Sequence, residues 1–388
     1  MQFLAFIAIF LLGAGVFFLL AYLLRKRLQK LSLALLGIGT IIGLVLIGLY
    51  VVEAGGWERE GLYRQLNYGL SRDTQRDFIS RQEDLQETAL LLMSLSSTGL
   101  RNYLTDYPEE RARIAEQLGW MARYVTDEGR FPAWKTRGEW EQQAYFLAHA
   151  SIVLANYQSV TLDESYAEQW RRASQFLATG ITRSRYKHLA SRPNDAALRP
   201  HDNAAALYAL RLYDEYFGDS LAVSASEDWV HYLERELQYD DTTLPCAGFT
   251  ATNRCRLSPT GDNLAMLNAY SAAARLPIAR DFWREFRHYY KETTVQVFAN
   301  FRLVPGGEEI PEFCDNHVIP LPCGRYQDSY GQYAAALRRD WLTYYQLNNA
   351  QLVHDLFNPP NQLWEARPQD QVLGMIDIAL RLCATTVR

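Results

Sequence analysis

Two cysteines, Cys246 and Cys255, stand with eight residues between them in the stretch Leu244–Leu264, LPCAGFTATNRCRLSPTGDNL. This stretch runs straight into an apolar helical pattern that begins near Asp262-Asn263. Upstream, RPHDNAAALYAL places His201 at the lip of a helix of the same kind. A thiol pair and an imidazole meeting at helix N-termini on one rim are the groups that acid–base chemistry requires. Thiols carry protons only while reduced; oxidised, the same pair is a loop disulfide with no proton chemistry. The spacing leaves both states open.

Other polar residues read more plainly. Cys314 and Cys323 repeat the same spacing in a second loop and are expected to form a local disulfide, while Cys383 sits in the last apolar helix as a buried free thiol. Glu308, Glu309, Glu312, Asp315 and His317 crowd residues 300–325 without any fixed ligand spacing, as a solvated acidic loop does. Asp202, Asp262 and Asp328 each stand at a helix entry and read as N-caps. No P-loop, GxGxxG fingerprint, GxSxG elbow or His/Cys zinc spacing is present, so no cofactor and no metal is expected.

The elements that must position these residues follow from the chain's length and patterning. A chain of 388 residues can bury a large core. Its first 52 residues differ from the rest. Phe3–Leu24 and Leu31–Tyr50 are uncharged apolar runs, each long enough to cross a bilayer as a helix. Between them lie Arg25, Lys26, Arg27 and Lys30, and no acidic residue precedes Glu53. The basic hairpin is expected to stay cytoplasmic, which places everything after Val52 in the periplasm. The first run ends in LLRKR rather than a small-residue cleavage site, so it reads as an anchor and not as a signal peptide. Gly39 and Gly43 form a GxxxG step suited to contact between the two spans. The net charge is −5, from 39 basic and 44 acidic residues. The four hairpin cations leave the rest of the chain more acidic still, which argues against nucleic acid as a partner.

After a polar juxtamembrane segment, residues 53–73, helical periodicity dominates. Helices are expected over 75–97, 109–126, 138–158, 163–182, 202–217, 226–238, 262–276, 278–299, 326–342, 343–357 and 369–386, with Pro and Gly between them and no strand series. Small apolar helices (AAALYAL, LAMLNAY, YAAAL) alternate with bulkier amphipathic ones (DWVHYLERELQ, RDFWREFRHYYKET). Such alternation suggests an inner and an outer ring: an all-α (α/α)6 toroid over residues 74–388, with an open helical solenoid as the alternative. In a toroid the inner helix N-termini share one mouth, and Tyr330, one turn into its helix, faces the cavity. The long loops 183–201, 239–261 and 300–325 would overhang that mouth.

Over roughly residues 110–345 the chain resembles the linalool dehydratase/isomerase and linalool isomerase group, (α/α)6 toroid enzymes that act on monoterpene alcohols without a cofactor. The resemblance rests on His201 at an inner helix start, then the Cys-x8-Cys loop, then the next inner helix. It extends to Phe131-Pro-Ala-Trp134 followed by Tyr145, and to Asp328-Ser329-Tyr330. It implies a site built from Cys246, Cys255, His201, Tyr330, Tyr145 and Asp127, with a small apolar alcohol as ligand and a homo-oligomer whose subunits lend residues across interfaces. Departures are Arg256–Gly261, which lie between the cysteine loop and its helix, the AGFTATNR context, and the second cysteine pair.

Three functions are therefore in view. The first is an inner-membrane isomerase interconverting linalool and geraniol, with dehydration alongside. The second is a periplasmic glycan-active toroid, hydrolase or epimerase, using Asp202, Asp262 and Asp328. The third is a non-catalytic envelope scaffold, which would display a large exposed apolar patch.

Overall fold

The computed structural model describes residues 14–82, 85–193, 195, 197–240, 242–294, 296–305, 326–357 and 360–387. The protein is mostly helical. Residues 14–24 are helical, and α1 (Gln29–Ala54) returns beside them, with Ser32 Oγ donating to Ala21 O at 2.7 Å. Gly39 is the point of close approach, since a Cβ there would lie 3.3 Å from Phe17 Cβ; Gly43 faces open space. Leu31, Leu33, Ile38, Ile41, Leu44 and Ile47 of α1 are exposed. Counted over the described residues alone, no helix is long and apolar enough to cross a membrane, so the two expected spans draw no support from that count.

The segment expected to be a polar juxtamembrane stretch holds a helix packed on the core. In α2 (Trp57–Ser71) Leu62, Leu66 and Leu70 recur every fourth residue and are buried, which is the stripe of a helix lying on a core. A shorter helix, α3 (Asp73–Arg81), follows.

Six helices then pack in sequence. They are α4 (Gln86–Tyr103), α6 (Ala144–Thr161), α8 (Pro200–Phe217), α10 (Gly261–Ala273), α12 (Tyr326–Arg338) and α14 (Pro368–Thr385). Each lies against the next, and α14 lies back against α4, so the series closes. Outside them α5 (Arg111–Val125) packs on α6, α7 (Ala167–Arg183) on α6 and α8, and α9 (Leu221–Glu236) on α8. Likewise α11 (Ala279–Tyr290) packs on α10, α13 (Trp341–Phe357) on α12, and α2 on α14. The two layers follow from composition. Inner helices meet neighbours on every side, and residues such as Ala204, Ala205, Ala206, Ala334, Ala335 and Ala336 let their backbones approach. Outer helices bury one stripe: in α11 these are Ala279, Phe282, Trp283, Phe286 and Tyr290.

The connections carry two short hairpins that the sequence did not suggest. Strands β1 (Gly248–Phe249) and β2 (Cys255–Leu257) pair antiparallel, and so do β3 (Lys291–Thr294) and β4 (Phe298–Phe301). The helix expected over 278–299 accordingly stops at Tyr290. Helix α4 begins at Gln86 rather than 75, because the chain leaves helical geometry at Gln82. Cys314, Cys323 and the acidic 306–325 group lie outside the described residues. Cys383 is the buried free thiol expected, and its Sγ reaches Leu95 O at 3.3 Å.

Two buried polar contacts tie the layers. Arg381 of α14 pairs with Glu58 of α2 at 3.2 Å and with Asp355 of α13 at 2.8 Å. His188 accepts the Trp229 Nε1–H at 2.9 Å and donates from Nδ1 to Tyr186 O at 2.9 Å, and burial drives its pKa down to about 3. A histidine whose folded pKa lies below its unfolded value costs nothing above about pH 6.5 and destabilises the fold as the pH falls below that. His188 alone accounts for about 2 kcal/mol at pH 5 on this basis. Thermal midpoints measured from pH 7 to 5 are expected to fall less steeply in His188→Gln than in the parent; parallel curves would refute this.

Gly261 opens α10 where the 302–303 backbone crosses. Its N–H donates to Leu303 O at 2.8 Å, and a Cβ would sit 2.0 Å from Arg302 O. Gly261→Ala is expected to cost about 2 kcal/mol through this backbone overlap. An unchanged melting temperature would show that the crossing strand yields freely.

Candidate active site

The N-terminal ends of α4, α6 and α8 lie together, and the loop between α7 and α8 folds over them. Its carbonyls at Ala190 and Ser191 accept from Ala144 N and Tyr145 N, satisfying the free amides at the start of α6. Asn203 clamps the same loop from α8, accepting from Leu189 N at 2.9 Å and donating to Leu189 O at 3.1 Å. These bonds set Arg192 over the rim. Its Nε donates to Glu87 on α4 at 2.6 Å, its Nη1 donates to Asp202 on α8 at 2.8 Å, and its guanidinium stacks 4.3 Å above the Tyr145 ring of α6. The Tyr145 hydroxyl donates to Glu87 O at 2.9 Å.

Asp202 is therefore not the N-cap of α8, a position Arg199 occupies; it is the third helical residue and a buried ion-pair partner. Burial alone would raise its pKa, but His201, Arg192 and His149 outweigh that and hold it below the usual carboxylate range. Its Oδ1 has no hydrogen-bond partner, and His201 Nε2 stands 3.6 Å from that atom. Burial lowers the His201 pKa, so the imidazole is neutral at neutral pH. The cap reading fails at α10 as well, where Thr260 is the N-cap and Asp262 accepts its hydroxyl at 2.5 Å while remaining exposed. Asp328 on α12 is buried and accepts Phe301 N at 2.5 Å, joining the inner helix to β4.

Deeper in the ring, a chain of aromatic contacts runs from Tyr145 to Tyr330. Ring centroids are 4.4 Å apart for Tyr145 and His149, 5.9 Å for His149 and Tyr270, and 6.3 Å for Tyr270 and Tyr330. Ser94 Oγ lies 2.7 Å from His149 Nδ1. His149 Nε2 is buried without a partner, and the hydroxyls of Tyr270 and Tyr330 lie near each other without forming a hydrogen bond of good geometry. Burial lowers the His149 pKa to about 4 and raises those of Tyr270 and Tyr330, so all three groups are uncharged near neutrality.

Of the residues singled out in the sequence, Tyr145, His201 and Tyr330 belong to this interior. Asp127 does not join them: it is exposed in the turn after α5, where its Oδ1 accepts Gly129 N at 2.8 Å. Cys246 and Cys255 are bonded to each other, with Cys246 buried and Cys255 exposed. Backbone bonds between Phe249 and Leu198, at 2.9 and 3.0 Å, hold their loop against the segment that enters α8. As a disulfide the two sulfurs carry no exchangeable proton. Sequence reasoning missed Arg192, Glu87, His149, Ser94 and Tyr270. The signal for His149 was a single imidazole inside the apolar run AYFLAHASIV; for Arg192 it was a cation within a long loop of the mouth.

Among the described residues no group of three or more His, Cys, Asp or Glu side chains is placed to hold a metal ion. No family model matches this chain, and no curated protein is detectably similar to it.

Removing the guanidinium would leave Asp202 charged and uncompensated. Arg192→Met is expected to destabilise the protein by about 2–3 kcal/mol at pH 7, below the range for a fully enclosed pair because Arg192 keeps part of its surface. Asp202 has a depressed folded pKa, so its contribution is complete above the ordinary carboxylate range and is lost as the pH falls through the folded value. The gap between parent and variant should therefore narrow toward pH 3. Equal gaps at both pH values, read by thermal unfolding, would contradict this account.

Proposed function

We propose that this chain is a membrane-anchored, cofactor-independent isomerase of monoterpene allylic alcohols, interconverting linalool and geraniol with some dehydration alongside. In this reading the closed six-helix series and its outer partners form an (α/α)6 toroid. The exposed leucines and isoleucines of α1 belong to a two-helix anchor in the inner membrane, and the toroid lies in the periplasm. The observation that carries the proposal is the ring interior itself, where His149, Asp202, Tyr270 and Tyr330 each keep a buried polar atom without a partner among aromatic and small apolar side chains.

Isomerisation begins when an acid protonates the hydroxyl of the alcohol, so that the C–O bond breaks and water leaves with the bonding pair. The allylic cation left behind is attracted to the faces of Tyr145, Tyr270 and Tyr330. Water then adds at the other allylic carbon and gives its extra proton to a base, which restores the proton count. His201, neutral and beside Asp202, is suited to the base role. Proton delivery is assigned to the reduced Cys246/Cys255 pair, so the bonded pair corresponds to a resting form.

The glycan reading has less support. Asp202 is held by Arg192, Asp262 is exposed, and Asp328 is bound to the Phe301 amide, so its three carboxylates are each engaged elsewhere. A scaffold would account for the exposed face of α1 but not for the unpartnered atoms inside the ring.

The test is incubation of membranes carrying the protein with linalool or geraniol, anaerobically, with and without a thiol reductant, followed by gas chromatography. Conversion is expected with reductant and is expected to fall at least roughly tenfold without it, since a disulfide cannot deliver a proton. Cys246→Ala and Cys255→Ala should each abolish turnover while melting like the reduced parent, which likewise lacks the bridge. Full activity in both variants would end the isomerase proposal as stated.

A further inference from the structure

A neutral base lies unused at the middle of the ring. His149 is one turn beyond Tyr145 on α6 and is wholly buried. Ser94 Oγ is 2.7 Å from its Nδ1 and 3.0 Å from Leu91 O. Serine has one proton to give. If it goes to Leu91 O, the carbonyl that takes a helical serine's proton, Nδ1–H must donate to Ser94 and Nε2 carries a bare lone pair. If it goes to Nδ1, then Nε2 carries a hydrogen with nothing to receive it. Either way Nε2 is enclosed and unsatisfied, a condition that costs stability unless a ligand completes it.

The same patch holds two more such atoms. The Tyr270 ring is the next neighbour of His149 and Tyr330 is the next neighbour of Tyr270; the two hydroxyls lie near each other, and that of Tyr270 near Ser94, but neither makes a hydrogen bond of good geometry. Three unsatisfied atoms on three successive inner contacts match one small group that can both give and take hydrogen bonds. That group must be uncharged. Burial keeps His149 neutral and both phenols protonated, and the cation that acts on His149, Arg192, is already taken by Glu87 and Asp202 at the mouth. The rings of Tyr145 and Tyr208 flank the patch with apolar faces.

We propose that His149 Nε2 and the Tyr270 and Tyr330 hydroxyls form the binding site for the hydroxyl group of a neutral, otherwise apolar alcohol. The inference rests on the reading of the ring interior as the active site and adds His149, Ser94 and Tyr270 to it. Ser94 is a positioning residue that fixes the imidazole tautomer; His149 and Tyr270 touch the ligand.

The test uses the full-length protein in detergent, with geraniol as the probe and binding followed by calorimetry. Nitrogen NMR of labelled histidine reports on Nε2 directly. The His149 Nε2 resonance should shift on addition of geraniol. His149→Leu and Tyr270→Phe should each weaken binding roughly three- to tenfold, the range expected for one lost hydrogen bond. Tyr270→Phe removes a hydroxyl that makes no hydrogen bond of good geometry, so without ligand it should melt close to the parent; it carries the test if His149→Leu fails to fold. Unchanged affinity in Tyr270→Phe, an unmoved Nε2 resonance, or no geraniol binding by the parent overturns the proposal. Gas chromatography of the same samples separates the two claims. Turnover with affinity indifferent to these variants would sink the binding site and keep the isomerase. Binding that depends on His149 without turnover would do the reverse.

Discussion

One cation holds the mouth of the ring together. Arg192 spans Glu87 on α4 and Asp202 on α8 while lying flat on Tyr145 of α6, so three consecutive inner helices meet at a single guanidinium. Its planar fork offers separate donors to two carboxylates and a face to the ring below, which a lysine could not do. The carboxylates differ in what they contribute. Glu87 is largely in water and gives orientation, whereas Asp202 is enclosed and depends on the cation to remain ionised. His201, His149 and Tyr145 all lie within the electrostatic reach of that one buried negative charge.

Around this anchor, polarity is graded with depth. At the rim the polar groups are charged and paired. One turn further in they are neutral and keep individual polar atoms unsatisfied, among side chains that are largely aromatic or alanine. An enclosed interior of this kind repels ions, because nothing there would repay their desolvation, yet it retains hydrogen-bonding capacity that water or a ligand must fill.

The helical fold was legible because composition differs between layers. Runs of alanine marked the helices that touch neighbours on all sides, and α11 displayed its buried stripe openly. What stayed hidden depended on contacts between distant segments. Leu62, Leu66 and Leu70 had the right spacing, but the charges among them made the segment read as a polar juxtamembrane stretch. The three helix-entry aspartates looked alike in sequence. One is a buried ion-pair partner, one is exposed, and one holds a strand, because their surroundings come from other loops. His149 could not be valued from sequence, since its meaning lies in Ser94 and Tyr270, which belong to α4 and α10. The cysteine spacing fitted both a thiol pair and a bridge; only folded geometry brings the two sulfurs into a bond.

The closure of the inner series has a consequence for biosynthesis. The seam is made by α14 against α4, the last of the six against the first, with Cys383 reaching Leu95 across a separation of 288 residues. A ribosome delivers α14 only after the other five inner helices, so the earlier helix pairs must wait as an open arc with its inner face uncovered. Until α14 arrives, that arc is a substrate for chaperones rather than for chemistry.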